Sequence, residues 1–250
     1  MQNTKNLPPP AAKADWAFFL DVDGTLFDIA PTPNDVRMDK VLAKLLDRLY
    51  YACGGAVAVV SGRGLSDLDR LLGSLPMPRA GQHGLERRDA NGRLWLKSVP
   101  PEVKQRLKEA LAPELERYPG LMLEDKGFTL ALHYRQAPTL ASYAHRLMTR
   151  LVAAEGDAGL RLQAGKRVVE VTLANVDKGT AVSQYLAEAP FRGRTPVFVG
   201  DDANDEHAFA VLNELGGITI KVGRAASLAR YRLPDVAAVR SWLAAALPAR

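Results

Sequence analysis

Short apolar runs that each end at a polar loop constrain the fold of this 250-residue chain most strongly. Three such runs, at residues 16–20, 56–60 and 196–199, have the length and composition of buried parallel strands. Helical patterns follow them, as at residues 35–50, where Val41 and four leucines recur at helical spacing. Strands that alternate with helices through short connections favour a doubly wound α/β fold.

The stretch at residues 85–172 follows a different pattern. Apolar and polar residues alternate around Asn91-Gly92, which predicts a β-hairpin at residues 87–98. The remaining patterns predict, in order, a helix at 101–116, paired strands at 121–124 and 128–134, a helix at 140–153, and a strand pair at 160–172 that turns at Gly165-Lys166. We therefore expect a doubly wound, Rossmann-like parallel-sheet core at residues 1–84 and 173–250, with an inserted α+β cap domain at residues 85–172.

Composition and charge exclude several classes of protein. The 33 Lys and Arg residues exceed the 28 Asp and Glu residues, but they are scattered, so we expect no nucleic-acid partner. Cys53 is the only cysteine, which excludes an intrachain disulfide and a thiolate metal cluster. No apolar run resembles a signal peptide or reaches the roughly 20 residues that span a bilayer. We expect a cytoplasmic monomer with no membrane partner, whose first dozen residues, with three consecutive prolines, form a loose tail.

Two acids follow the first apolar run directly. Residues 21–25 read Asp-Val-Asp-Gly-Thr, which places Asp21 and Asp23 two residues apart at the carboxyl edge of the expected sheet. Buried like charges repel and raise each other's pKa unless a cation or a proton separates them, so a magnesium ion (Mg2+) is the natural counterion. The alternative is a capped turn with two unrelated acids.

A second acidic segment, Gly-Asp-Asp-Ala-Asn-Asp-Glu at residues 200–206, follows the third apolar run. Asp201 and Asp205 lie about one helical turn apart, so both can bind one ion, or one can orient the other. Asp202 has two open interpretations, a functional role at the metal or the N-cap of the next helix.

Hydroxyl and ammonium groups near other strand and helix ends suit a phosphate. Thr25 and Ser61 offer hydroxyls beside backbone N–H groups near predicted helix starts, where anions bind well. Lys178, which follows Asp177 at the predicted start of a helix, supplies a compensating cation. Each of these residues is a weak signal alone, but their order along the chain is informative.

The motifs DVDGT, SGR, DKG and GDDANDE appear in the order found in the haloacid dehalogenase superfamily, which the chain resembles. This resemblance implies phosphoryl transfer through an aspartyl phosphate, with Asp21 as the nucleophile. It implies that Asp23 protonates the leaving alcohol and then activates water, and that Ser61 and Lys178 hold phosphate oxygens. The implied metal-site residues are Asp21, the backbone carbonyl of Asp23, Asp201, Asp205 and, in one interpretation, Asp202.

Over nearly its whole length the chain also resembles bacterial trehalose-6-phosphate phosphatases. The matching stretches are residues 80–88, 123–127, 131–135, 168–170 and 193–198. This resemblance implies that Glu124, Lys126 and Glu170 hold hydroxyls of the sugar distal to the phosphate, a task that suits charged, directional groups. Without it, a turn or strand-edge salt bridge would be the better assignment for Glu124 and Lys126, and a solvent-facing position for Glu170.

The matching segments also supply the rest of the expected substrate site. Its further members are Thr25, Gly62, Arg63, Gln82, His83 and Gly84. His83 lies in a glycine-flanked turn and either lines the substrate entrance or satisfies local backbone groups. His133 and Arg135 share one face of a strand, and we expect them to contribute to packing or cap stability. Asn204, where many family members have threonine, and residues 174–177 depart from the family pattern and affect local loop geometry only.

We expect magnesium-dependent hydrolysis of trehalose 6-phosphate to trehalose and phosphate, the last step of trehalose biosynthesis. Three alternatives remain open. A related sugar phosphatase would act on sucrose phosphate, a mannosyl phosphate derivative or a hexose phosphate. A phosphomutase would use the same aspartyl phosphate without surrendering it to water. A non-catalytic sugar-phosphate sensor commonly lacks the nucleophile, whereas Asp21 is present here together with Asp23, Lys178 and Asp201.

Overall fold

The computed structural model describes residues 7–30, 35–156, 158–165 and 167–247. The chain forms two compact units, the first from residues up to Leu96 together with those from Asp177 onward, the second from Lys97–Val176. The elements, in chain order, are β1 (Ala17–Leu20), α1 (Lys40–Ala52), β2 (Val57–Val60), α2 (Leu65–Leu72), β3 (Arg79–Gly81), β4 (Glu86–Arg88), β5 (Leu94–Leu96), α3 (Pro101–Arg117), β6 (Met122–Asp125), β7 (Leu130–His133), α4 (Ala141–Ala154), β8 (Leu160–Gly165), β9 (Val168–Leu173), α5 (Lys178–Leu186), β10 (Pro196–Gly200), α6 (Asp205–Glu214), β11 (Ile218–Val222), β12 (Tyr231–Leu233) and α7 (Val236–Ala244).

The first unit is built on an eight-stranded sheet in the order β12-β11-β10-β1-β2-β3-β4-β5. The strands from β12 to β3 pair in parallel, and the β4–β5 hairpin adds two antiparallel strands at one edge. Parallel strands need apolar cover on both faces. Helices α1, α2 and α7 cover one face and α5 and α6 the other. The expected α/β class with a parallel-sheet core is confirmed.

Strand β1 lies inside this sheet, between β10 and β2. Its side chains alternate, so Phe18 packs into the cluster that includes α1 and α7, while Phe19 enters the opposite cluster and stacks on Phe191 at 5.3 Å between ring centroids. Both rings are fully buried. The strand is thereby fixed from both sides, and it delivers Asp21, the next residue, to the carboxyl edge of the sheet.

The second unit is a four-stranded antiparallel sheet in the order β6-β7-β9-β8. Helices α3 and α4 pack on one of its faces, against alternate strand residues such as Leu132 and Val169. The residues between them point to the other face, where Ala131 of β7 lies opposite both Glu124 of β6 and Glu170 of β9. The two acids of the expected sugar site therefore share one face of this sheet.

The boundaries of the units differ from those expected from the sequence. Strand β4 pairs with β3, so the hairpin at residues 86–96 belongs to the sheet of the first unit, and the second unit begins at Lys97 rather than at residue 85. Its end at Val176 lies beyond the expected residue 172. The alternation of residues 87–98 predicts a hairpin correctly, but alternation does not reveal which sheet the hairpin extends.

Two other expectations change with the structure. Helix α1 begins at Lys40 rather than near residue 35, because Asp39 caps it by accepting a bond from the backbone N–H of Leu42 at 2.8 Å. The loose tail is wrong for residues 7–12, since Leu7 pairs with Tyr231 and Ala12 is buried. Residues 1–6 of that tail, and Lys166 of the predicted turn, lie outside the described residues. Among the helices that the structure describes, none combines the length and apolarity that a bilayer crossing requires.

Helix α5 starts with a capping box, which should stabilise the fold measurably. The carboxylate of Asp177 accepts a bond from the backbone N–H of Thr180 at 2.7 Å, and the Thr180 hydroxyl accepts one from the backbone N–H of Asp177 at 2.9 Å. We expect Asp177→Ala to lower the free energy of unfolding by about 1 kcal/mol. Asp177→Asn, which retains a capping oxygen, should lose less. Urea denaturation of the two variants tests this, and an Ala variant as stable as the wild type would contradict it.

Candidate active site

The functional side chains of the first unit gather where the parallel strands end. Asp21 follows β1, Ser61 follows β2 and Asp201 follows β10, while Lys178 is the first residue of α5. Because these strands are parallel neighbours, their carboxyl ends meet at one edge of the sheet. The four side chains predicted from separate parts of the sequence lie at this edge or at the helix start beside it.

Lys178 joins the two acidic segments through its ammonium group. Its Nζ lies 2.8 Å from Oδ1 of Asp21 and 2.6 Å from Oδ1 of Asp205, and it is 3.8 Å from Asp202. Lys178, Asp21 and Asp205 are buried. A buried ammonium between two carboxylates is stable only with such partners, so these three side chains fix one another.

Burial and crowded charge shift the acids of this network. Burial raises the pKa of Asp21 to about 6. Burial and the charges of Asp205 and Asp202 raise the pKa of Asp201 to about 6, and burial with the charge of Asp21 raises the pKa of Asp205 to about 8. For Lys178, burial lowers the pKa, but the carboxylates of Asp21 and Asp205 outweigh it and the pKa is raised. The site holds more negative charge than its ammonium neutralises.

Three of these acids fit a divalent cation. Carboxylate oxygens of Asp21, Asp201 and Asp205 all lie within 4.8 Å of one another. The backbone approaches closely to make this possible, because a Cβ on Gly24 would overlap the carboxylate of Asp201 and one on Gly200 would overlap that of Asp205. Clustered oxygen donors with excess negative charge suit a hard ion such as Mg2+, so the residues present fit the expected metal.

Asp202 does not join that cluster of ligand atoms. Its Oδ1 accepts bonds from the backbone N–H groups of Asn204 at 2.9 Å and Asp205 at 3.1 Å, and its backbone N–H donates to Oδ2 of Asp205 at 2.9 Å. Burial raises the pKa of Asp202, but the charge of Lys178 and these hydrogen bonds lower it by more. The net result is a pKa below the usual value of an aspartate. The N-cap residue of α6 is Asn204 rather than Asp202. Asp202 instead holds the backbone N–H groups of Asn204 and Asp205 and orients the Asp205 carboxylate.

Asp23, the second acid of the first motif, pairs with Arg63. The guanidinium donates from Nε to Oδ2 at 2.7 Å and from Nη2 to Oδ1 at 2.6 Å, a bidentate arrangement. The hydrogen bond to Asp23 raises the pKa of Arg63. The Arg63 side chain is only 7% exposed, whereas that of Asp23 is 39% exposed, so the acid can be reached from solvent while its orientation is fixed.

Two buried hydroxyls belong to the segments that follow β1 and β2. Ser61 is 1% exposed, and its Oγ accepts a bond from the backbone N–H of Arg63 at 3.2 Å. Thr25 is fully buried, and its Oγ1 has no hydrogen-bond partner among the described residues. A buried hydroxyl without a partner is costly, so Oγ1 of Thr25 is able to donate a hydrogen bond to a bound ligand.

The turn at residues 82–84 packs on the loop that follows β2. The backbone N–H of His83 donates to the carbonyl of Ser61 at 2.9 Å, and that of Gln82 donates to the carbonyl of Arg63 at 2.8 Å. His83 adopts a left-handed backbone with φ of 57°, and a Cβ on Gly62 would lie 2.7 Å from its ring. Gly84 completes the turn at φ of 109°. All five residues that were expected to bind substrate in these two segments therefore lie together.

In the second unit, the three expected sugar-binding residues form part of one polar face. Lys126 Nζ donates to Oε2 of Glu170 at 2.8 Å. Oε2 of Glu124 lies 2.7 Å from Nε2 of His133. His133 therefore bonds to Glu124 rather than packing in the hydrophobic cluster, and Tyr134, the residue between His133 and Arg135, is the one that packs there.

Sequence reasoning missed Lys221, which supports the second acidic segment. Its side chain is 3% exposed, and its Nζ donates to the backbone carbonyls of Asp201 and Asp202. A buried ammonium that holds two carbonyls fixes the loop that carries Asp201. The available signal was a lysine inside the β-branched run Ile218–Val222, since charged residues are rarely fully buried unless paired.

The segments that form this site lie within a stretch of the chain that matches a known protein family. The family model described as Trehalose-phosphatase matches residues 19–237, which include both acidic segments, Ser61 and Lys178. The chain belongs to the trehalose-phosphatase family. This match confirms the resemblance to trehalose-6-phosphate phosphatases and the prediction that the protein is a phosphatase.

Individual members of the trehalose-phosphatase family are similar over nearly the whole chain. The Escherichia coli protein named trehalose-6-phosphate phosphatase is 42% identical over 94% of this chain and 87% of its own length. A Sinorhizobium fredii protein named probable trehalose-phosphate phosphatase is 41% identical over 92% of this chain and 87% of its own. The structure of the C-terminal domain of the C. albicans trehalose-6-phosphate phosphatase, 24% identical, has the same fold with a TM-score of 0.72 over 93% of both chains.

Gly24 offers a direct test of the packing in this trehalose-phosphatase site. Its φ is +73° and an added Cβ would overlap the Asp201 carboxylate, so Gly24→Ala should displace that acid. We expect phosphatase activity to fall by about 100-fold, because displacements near 1 Å disrupt catalytic positioning.

Gly92→Ala is the matched control. Gly92 has a similar φ of +80°, but an added Cβ meets no described heavy atom within 4 Å. Phosphate release and thermal melting of both variants separate backbone strain from displacement of Asp201. Equal activities of the two variants would contradict the proposed packing constraint.

Proposed function

We propose that this protein hydrolyses trehalose 6-phosphate to trehalose and phosphate, with Mg2+ and through an aspartyl phosphate on Asp21. The observation that carries the reaction is the buried Asp21 carboxylate beside the Lys178 ammonium, within a cluster of acids that fits a divalent cation. The substrate is inferred from the relatives, because the E. coli protein named trehalose-6-phosphate phosphatase is 42% identical over 94% of this chain.

In the first half-reaction, a carboxylate oxygen of Asp21 forms a bond to phosphorus while the bond from phosphorus to the sugar oxygen breaks. Asp23 gives its proton to the leaving alcohol. Lys178, 2.8 Å from Asp21, offsets the negative charge that the ester brings toward the carboxylate. In the second half-reaction, Asp23 takes a proton from water, and the resulting hydroxide displaces Asp21 from phosphorus.

Arg63 orients Asp23 for these two steps. Its carboxylate accepts two bonds from Arg63, which suit the ionised form that takes a proton from water. For the first step, Asp23 must carry a proton, so its pairing with Arg63 must loosen when substrate is bound. A substrate phosphate that recruits Arg63 as a donor would produce that change, in keeping with the expected role of Arg63 in substrate binding.

Asp21, the backbone carbonyl of Asp23, Asp201 and Asp205 would hold the metal, with Asp202 and Lys221 orienting their loop. When bound, Mg2+ neutralises the clustered carboxylates and the phosphate charge. Thr25 and Ser61 would donate their hydroxyl hydrogens to phosphate oxygens, which would satisfy the unpartnered Oγ1 of Thr25.

The polar face of the second unit would select the sugar. Glu124 and Glu170 can accept bonds from sugar hydroxyls, and Lys126 can donate to them. A disaccharide offers many hydroxyls and little apolar surface, so directional polar groups of this kind discriminate it from other phosphate esters. The cytoplasmic location and the monomeric state stay predictions.

A panel of phosphate esters tests the proposed substrate. We expect phosphate release from trehalose 6-phosphate in the presence of Mg2+, and much less from sucrose phosphate, a mannosyl phosphate derivative or a hexose phosphate. Little release without the metal is expected. A preference for a monosaccharide phosphate would favour a related sugar phosphatase, and interconversion of sugar phosphates without free phosphate would indicate a mutase.

Asp21→Asn tests the nucleophile. The amide has the size of the carboxylate but does not form the aspartyl phosphate, so we expect turnover to fall by about 1000-fold or more. Binding of trehalose 6-phosphate with Mg2+ present should persist in calorimetry. Asp15→Asn, a change at an exposed aspartate, should retain wild-type turnover. Undiminished hydrolysis by Asp21→Asn would rule out the mechanism.

Glu124→Gln and Glu170→Gln test the sugar site. Loss of a bond to a charged group should raise KM for trehalose 6-phosphate by about 10- to 100-fold in each variant. The kcat/KM for p-nitrophenyl phosphate, which has no sugar, should stay near that of the wild type. Glu116→Gln, on an exposed position of α3, is the matched control. Equal losses with both substrates would point to a general defect instead.

A further inference from the structure

We propose that Thr129 and His133 are positioning residues, which orient Glu170 and Glu124 for the sugar. This inference rests on the proposed function and deepens it. Each of the two acids has a hydrogen-bond partner on the strand-and-turn segment at residues 129–133. These partners are distinct from the residues expected to touch the sugar.

Thr129 is the more constrained of the two. It is 1% exposed, and its hydroxyl donates to Oε1 of Glu170. Lys126 donates to Oε2 of the same carboxylate at 2.8 Å. With a separate donor on each oxygen, the plane of the Glu170 carboxylate is fixed, and the remaining lone pairs have set directions.

The sheet register explains why Thr129 reaches Glu170. Ala131 lies directly opposite Glu170, so Thr129, two residues earlier, lies on the same face at a diagonal position. The turn before it is closed by a bond from the backbone N–H of Lys126 to the carbonyl of Thr129 at 3.1 Å. Both donors to Glu170 therefore come from one short, closed turn.

Asp125 ties this turn to the helix layer. Its Oδ1 accepts bonds from the backbone N–H of Gly127 at 2.9 Å and from Nζ of Lys104 at 3.0 Å, and its Oδ2 accepts one from Lys108 at 2.6 Å. Hydrogen bonds from Lys108 and Lys104 hold the pKa of Asp125 well below its usual range. The turn that positions Glu170 is thus anchored to α3.

His133 acts on Glu124 in a similar way. Met122 lies opposite His133 and Glu124 lies opposite Ala131, so His133 and Glu124 are diagonal neighbours on the same face. Their side chains meet at 2.7 Å through Oε2 of Glu124, which leaves Oε1 as the second acceptor. The His133 side chain is 21% exposed and that of Glu124 is 47% exposed, so the histidine restrains an otherwise mobile carboxylate.

Restraint matters because a flexible glutamate loses side-chain entropy when it binds a hydroxyl. An acid already held in its binding orientation avoids part of that loss. The effect should appear in the recognition of the sugar and not in the chemistry at Asp21. It should therefore change KM for the sugar substrate and leave kcat nearly unchanged.

The test compares Thr129→Val, which keeps the shape and removes the hydroxyl, with Thr129→Ser, which keeps the hydroxyl. We expect Thr129→Val to raise KM for trehalose 6-phosphate by about 5-fold, from the entropy of one side chain, with kcat within about 2-fold of the wild type. Thr129→Ser should restore the wild-type KM. Kinetics with p-nitrophenyl phosphate should be the same for all three proteins.

Variants of His133 provide a second test, and the substituted side chain is partly exposed rather than buried. We expect His133→Ala to raise KM for trehalose 6-phosphate by a similar factor, about 5-fold, and His133→Gln, whose amide can donate to Glu124, to recover part of it. Thermal melting identifies a variant that fails to fold, and the other residue then decides the outcome.

The possible failures are distinguishable. If Glu170→Gln raises KM but Thr129→Val and His133→Ala do not, the positioning inference is wrong while the proposed function stands. If Thr129→Ser loses as much as Thr129→Val, the side-chain hydroxyl is not the cause, and the inference for Thr129 is overturned. If the wild-type protein shows no preference for trehalose 6-phosphate, the proposed function fails and this inference fails with it.

Discussion

The contact of the buried Lys178 ammonium with two carboxylates is the interaction on which the candidate active site of the first unit depends. The ammonium lies within 3 Å of both Asp21 and Asp205, which come from opposite ends of the sequence. Without that cation, two buried carboxylates would face each other uncompensated, at a cost that few folds tolerate. The rest of the scaffold serves this contact, since β1 brings one acid to the sheet edge, the start of α6 brings the other, and the capped start of α5 brings the lysine.

The same electrostatic balance supports the proposal of a metal at this site. The ammonium neutralises part of the negative charge. Burial, together with the remaining charge of neighbouring carboxylates, raises the pKa of Asp201 and of Asp205. A site with surplus carboxylates at short range binds a hard divalent cation or takes up protons. Glycines at positions 24 and 200 keep the acids this close, because side chains there would overlap the carboxylates.

Much of this was predictable from local sequence, and the reasons for the remainder are physical. Asp21, Ser61 and Asp201 could be placed because each follows a short apolar run, and the ends of parallel strands converge. The pairing of Asp23 with Arg63, forty residues later, could not be deduced, because it depends on how two loops meet. Lys221 and the hairpin β4–β5 were missed or misplaced for a related reason: tertiary packing decides which buried group a lysine pairs with and which sheet a hairpin joins.

Among the described residues, those that form the hydrophobic core of the second unit all belong to that unit, from Val99 in the segment before α3 to Val171 of β9. Because this core supports the sheet from its other face, substitutions on the polar face leave the packing of the core in place. Under the proposed function, this polar face selects the sugar, so substrate preference can diverge without a change in the phosphoryl chemistry. One scaffold could then be inherited intact while a few strand-face substitutions in the second unit change the sugar that is recognised.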